Sequence, residues 1–151
     1  MVDSRIYTSR RLSVVKAICE VLKQIDGSGE FRSDIEGRAY PRLRFIDEID
    51  EFPSIFVTPG QELRDYQGGG YKDRYLTVTI RVYIHEEESI QAVDNILEDI
   101  ETLIEENSRL EYYDKSGMPQ FTHQMTITSL ESDEGILEPY GQGTIYLLVH
   151  Y

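Results

Sequence analysis

The chain has 151 residues, of which 40% are hydrophobic and 28% charged, and its formal net charge is −13. This length suits one domain with its own core, so residues 1–151 are expected to form a single domain. No apolar run approaches the ~20 residues that a membrane span requires, and no signal peptide or membrane association is predicted. Cys19 is the only cysteine, so no disulfide can form within the chain.

The excess negative charge lies in the second part of the chain. Residues 1–85 contain 13 basic and 13 acidic side chains, whereas residues 86–151 contain 15 acidic side chains against Arg109 and Lys115. A surface of one negative sign argues against binding to a nucleic-acid backbone or to anionic lipid. A solvated helix face is the simpler explanation of this acidity, and a functional acidic surface is the alternative.

In chain order, hydrophobic periodicity first predicts an amphipathic helix from about Thr8 to Ile25, which ends at the segment Asp26–Gly29. Cys19 lies on its apolar face, as expected for a buried thiol. Residues 31–49 are less regular and predict either two short strands around Gly37 or an ordered loop.

The segment Pro53–Ile104 has the clearest pattern. Ser54–Thr58 predicts a short strand between two prolines, and Tyr75–His85 alternates strictly between apolar and polar side chains. From Ser89 the period becomes helical, with an acidic half opposite an apolar half. The apolar half contains Ile90, Ala92, Val93, Ile96, Leu97, Ile100, Leu103 and Ile104.

Two further strands are predicted at Phe121–Leu130 and Thr144–Tyr151. The element order is therefore α-β-β-α-β-β. This order predicts an α+β fold in which an antiparallel sheet of about four strands carries two helices on one face.

The segment Gly60–Asp73 contains three successive glycines and is too long for a tight hairpin turn, so a mobile loop is predicted there. Its mixture of tyrosines with both signs of charge is typical of a surface that orders against a protein partner, and simple loop flexibility is the alternative. The candidate contact residues are Gln61, Glu62, Arg64, Asp65, Tyr66, Tyr71, Lys72, Asp73 and Arg74.

No pattern predicts a reaction site. The three histidines lack the spacing of a zinc site, and the glycines lack the Lys-Ser/Thr of a phosphate loop. The acidic residues 47–51 lack the ligand spacing of a calcium loop. We therefore predict no catalytic, cofactor or metal residues, and no enzymatic activity.

The order of several segments resembles the tail-terminator (tail-completion, minor tail protein U-like) family of long-tailed bacteriophages. The first helix begins near Arg10 and Arg11, and a later segment reads Phe52-Pro53-Ser54-Ile55-Phe56-Val57-Thr58-Pro59-Gly60-Gln61-Glu62. The strand Arg74–Val78, an acidic helix, the turn Asp133-Glu134-Gly135 and the terminal Leu148–Tyr151 follow. The resemblance covers about three-quarters of the chain and is poorest in residues 26–51 and 107–120.

This resemblance implies a structural protein that caps the tail tube as a six-fold ring, stops tube polymerisation and presents a surface for head attachment. The implied partners are other copies of the chain, the tube protein and a head-completion or connector protein. The implied location is the head-proximal end of the virion tail, after assembly in the host cytoplasm. DNA would pass through without specific binding, and we expect a candidate acidic ring surface at Glu98, Glu101 and Glu105 to line the bore or its rim.

Two alternatives remain open at this point. One is a head–tail connector or head-completion protein of similar size. The other, from a different class, is an oligomeric α+β enzyme or ligand-binding domain, which would need a pocket with convergent polar groups.

Overall fold

A computed structural model describes residues 9–151 of the chain. Two α-helices, α1 (Arg10–Leu22) and α2 (Ser89–Glu106), are present where helical periodicity predicted them. The side chain of Ser9 caps α1 by accepting a hydrogen bond from the backbone N–H of Leu12. Thr8, at the predicted start of α1, lies outside the described residues.

Seven strands accompany the helices: β1 (Ala39–Tyr40), β2 (Ser54–Tyr66), β3 (Lys72–His85), β4 (Glu111–Tyr113), β5 (Pro119–Phe121), β6 (Gln124–Ser132) and β7 (Tyr140–His150). Five of them form one sheet in the order β1-β2-β3-β7-β6, and β4 pairs with β5 in a separate two-stranded sheet. All pairs are antiparallel except β1 with β2, so the main sheet is mixed.

The α+β class is confirmed, but the prediction of about four antiparallel strands in the order α-β-β-α-β-β is wrong. The additional strands β1, β4 and β5 have two or three residues each, too few to show an alternating pattern. The predicted strand Phe121–Leu130 is divided between β5 and β6, because the chain leaves the small sheet and enters the main one near Thr122.

The core lies between the helices and one face of the main sheet, as predicted. Leu76, Val78, Ile80 and Val82 of β3 are fully buried in a cluster that contains residues of both helices. Burial of this apolar surface supplies most of the stabilisation of the fold. Cys19 is also buried in the cluster.

Two residues of α2 differ from the predicted pattern. Ile90, assigned to the apolar half, is exposed because it lies in the first turn, beside Gly135 of the β6–β7 connection. Asp99, assigned to the acidic half, is buried because its carboxylate accepts hydrogen bonds from the backbone N–H groups of Arg32 and Ser33. These hydrogen bonds hold the irregular segment after α1 against α2.

Candidate interaction surfaces

The segment predicted to be a mobile loop is the end of a long β-hairpin. β2 continues through Pro59 to Tyr66, with an irregularity between Pro59 and Glu62, and pairs with β3 up to Lys72. Gly69 and Gly70 have φ values of 77° and 84°, which permit the reversal between the strands. The predictions of a short strand Ser54–Thr58 and of a loop Gly60–Asp73 are therefore wrong.

We call the projecting part of this hairpin, residues 61–74, the arm. β7 pairs with β3 only from Tyr75 onward, so the arm extends beyond the end of β7. Leu63, Tyr66 and Tyr71 are 60%, 70% and 75% exposed, which is unusual for large apolar side chains. The arm is therefore a two-stranded projection with large side chains available for contact.

The arm brings together all nine of the predicted contact residues. Eight lie on its two strands, and Tyr71 lies in the turn. The register pairs Arg64 with Arg74 and Tyr66 with Lys72 on the side of the sheet that faces the helices. Asp65 pairs with Asp73 on the opposite side, so the arm has a basic side and an acidic side.

The C-terminal residue anchors the base of the arm. The Tyr151 hydroxyl donates a hydrogen bond to Glu62, and the backbone N–H of Tyr151 donates to the Arg74 carbonyl at 3.0 Å. Its ring is in edge contact with Tyr112, with centroids 5.8 Å apart. No sequence pattern predicted this role for Tyr151, although Tyr151 continues the buried alternation of Ile145, Leu147 and Val149.

The Glu62 side chain is 5% exposed and also accepts from Arg64 at 2.6 Å. Burial tends to raise the pKa of Glu62, but the hydrogen bonds from Tyr151 and Arg64 outweigh it and lower the pKa. Burial, together with the bond to Glu62, raises the pKa of Tyr151 to about 12. The carboxylate and the neutral phenol therefore stabilise each other at neutral pH.

The predicted acidic surface lies beside β6. Glu98, Glu101 and Glu105 line two adjoining depressions between α2 and this strand, with Leu130 and Glu131 on the strand side. Glu98 forms an exposed ion pair with Arg32 at 2.8 Å. Leu130 was not predicted as part of this surface, because its proximity to α2 arises only from the tertiary fold.

Phe52 covers one end of the sheet face opposite the helices. Phe52 contacts the rings of His85 and Tyr140 there, at centroid distances of 5.8 and 5.6 Å. Nearer the arm, this face carries half-buried side chains such as Thr79 and Tyr146. These side chains form a third surface.

Within residues 9–151, no group of three or more His, Cys, Asp and Glu side chains could hold a metal ion. No helix in this described part of the chain is long and apolar enough to cross a membrane.

Comparison with known proteins identifies similar chains. The profile of a family described as "Bacteriophage Tail Tube Terminator Protein" matches residues 8–151. The tail tube terminator protein p142 of Escherichia phage T5 is 34% identical over 149 residues, which cover 93% of this chain and 92% of that protein. A chain from the virion of a native gene transfer agent particle shares the fold, with a TM-score of 0.55 and 9% identity over 94% of this chain and 93% of that one.

Proposed function

Because the chain belongs to the bacteriophage tail tube terminator family, a family of structural tail proteins, we propose that it caps the tail tube as a hexameric ring. The ring stops further addition of tube protein and then presents a surface for the head-completion or connector protein. Family membership over almost the whole chain is the observation that carries this proposal.

Features of the structure support a contact role. The arm presents three large exposed side chains at one end of the sheet, Leu63, Tyr66 and Tyr71. The opposite end carries exposed Ile136 and Leu137 in the β6–β7 connection. A subunit in a ring between tube and head needs two such axial surfaces, and exposed apolar groups at both ends meet that need.

Placement at the head-proximal end of the virion tail, after assembly in the host cytoplasm, is part of the same proposal. DNA passes through the ring without specific binding. The net charge of −13 supports this, because like charge keeps DNA from adhering to the protein. Glu98, Glu101 and Glu105 are proposed to form an acidic surface of this ring.

The test uses tail tubes assembled with and without this protein. We expect tubes formed without it to grow to variable lengths, and addition of the protein to stop their growth. Averaged electron micrographs should show six copies at one tube end. Continued growth at saturating protein, or binding along the tube wall, would refute the capping function.

A further inference from the structure

The two helices carry opposite charge. α1, which packs against β1 and β2, contains Arg10, Arg11 and Lys16 against one acidic residue, Glu20. α2, which packs against β3, β6 and β7, contains six acidic residues and no basic one. The helix layer is therefore polarised across the sheet, and this charge distribution favours side-by-side attraction between identical copies.

Both edges also include strand backbone that pairs with no further strand in the described residues. β1 covers the outer edge of β2 only at Ile55 and Phe56, which leaves the ten residues from Val57 to Tyr66. At the other edge, β6 offers nine residues. At about 3.3 Å per residue, both edges are roughly 30 Å long, so they match in length.

The strand directions are compatible with such a contact. Each neighbouring pair from β2 to β6 is antiparallel, so β2 and β6 run in opposite directions. If the rotation axis that relates neighbouring copies runs parallel to the strands, the rotation leaves the strand directions unchanged. The β2 strand of the next copy then lies antiparallel to β6 of the first copy. The alternation of the sheet would then continue across the boundary.

The charged side chains lie on the same side of the two edges. Arg64 projects toward the helix layer, as does its cross-strand partner Arg74, two residues before the core residue Leu76. On the opposite edge, Glu101 and Glu105 border β6 on its helix side. No ion pair to either glutamate is present within residues 9–151.

We propose that the β2 edge from Val57 to Tyr66 docks against β6 and α2 of a second copy, with Arg64 facing Glu101 and Glu105. Pro59 interrupts the hydrogen-bond ladder because it has no N–H to donate, and the neighbouring Gly60 carbonyl already accepts a hydrogen bond from Arg11. The contact joins two different surfaces of the subunit. A pair of subunits therefore keeps one surface of each kind free to bind further copies, which allows a closed ring to form. This inference rests on the proposed ring and assigns the interface within it.

Charge reversal tests the interface. Arg64→Glu and the double variant Glu101→Lys/Glu105→Lys should each weaken hexamer formation by about tenfold or more, because each places like charges together. A 1:1 mixture of the two variants should recover hexamers of alternating subunits, since every contact then pairs opposite charges. Native mass spectrometry, with one variant labelled with ¹⁵N, measures the composition of the rings, both free and on tube ends.

Lys115→Glu and Glu87→Lys are the matched controls, because both residues are exposed and lie outside the proposed interface. These variants should assemble like the wild type. If the wild type forms hexamers and the single reversals do so equally well, or if the mixture fails to recover them, the proposed interface is wrong. If the wild type forms no hexamer either free or on tubes, the ring itself is refuted.

Arg64→Glu places another carboxylate beside Glu62, so a loss of hexamers in this variant can also result from a loss of folding. A second measurement avoids this ambiguity. Arg64→Lys keeps the charge and supplies an amine for carbodiimide coupling. In hexamers mixed from ¹⁴N and ¹⁵N copies, coupling of residue 64 to Glu101 or Glu105 between copies is expected. Its absence, while other links between copies form, would overturn the assignment.

Discussion

Tyr151→Phe tests whether the C-terminal residue holds the base of the arm. The change removes one hydroxyl and leaves the ring packing against Tyr112 in place. Within residues 9–151, Glu62 then keeps only Arg64 as a side-chain donor, and its side chain is 5% exposed. A hydrogen bond to a charged group contributes about 1.5–3 kcal/mol, so we expect the free energy of unfolding to fall by about that amount.

For a chain of this length, the loss corresponds to a decrease in melting temperature of roughly 3–12 °C. Urea denaturation followed by circular dichroism measures the free energy directly, and its m-value should stay unchanged. Tyr146→Phe is the control, because no hydrogen bond from its hydroxyl is present within residues 9–151. Equal stability losses in the two variants would refute the role assigned to the Tyr151 hydroxyl.

The pH dependence provides an independent check. Folding raises the pKa of Tyr151 from 10.0 to about 12, so the folded state holds its proton more tightly. The stability that this provides is present below pH 10 and is lost as the pH rises toward 12. In Tyr151→Phe, the loss of stability between pH 10 and pH 12 should therefore be smaller than in the wild type. A wild-type profile that matches the variant between pH 10 and 12 would contradict the assignment.

Three further predictions concern packing and titration. In Gly141→Ala, the new methyl carbon would lie 2.8 Å from a methyl group of Val93, so α2 must shift and stability should fall by about 1–3 kcal/mol in urea denaturation. Burial raises the pKa of Cys19 to about 12, so iodoacetamide should modify it at pH 8 only in denaturant. Repulsion from Glu106 is the largest cause of the raised pKa of Glu30. Glu30→Gln removes this repulsion and should therefore raise the melting temperature at pH 7. The gain should vanish below pH 4.5, where Glu30 is protonated in both the folded and the unfolded state.

Each of these predictions has a clear opposing result. Gly68→Ala should be nearly neutral, because its new methyl group would meet no atom within 4 Å, and an equal loss in both alanine variants would exclude the proposed clash. Rapid alkylation of Cys19 in the native state would show that the thiol is accessible. A melting temperature for Glu30→Gln that differs from the wild type equally at pH 4 and pH 7 would exclude charge repulsion as its cause.

Local periodicity predicts the elements whose pattern is sufficiently long. The alternation of Leu76 to Ile84 and the helical period from Ser89 to Ile104 correctly indicated the buried sides of β3 and α2. These patterns are readable because strand and helix geometry repeats within a few residues. The resemblance to tail terminators also depended on the order of such segments, and family membership is confirmed.

Contacts between distant segments are visible in the folded structure and have no counterpart in local sequence patterns. The segment predicted as a loop is a paired hairpin arm, in which Arg64 pairs with Arg74. Local patterns did not predict this pairing, because the register across a glycine-rich turn depends on both strands together. The contact between Tyr151 and Glu62 joins residues 89 positions apart, and no local period encodes it. The charges of α1 and α2 can likewise be read from the sequence. Their placement over opposite sheet edges depends on the strand order, and non-local pairing sets that order.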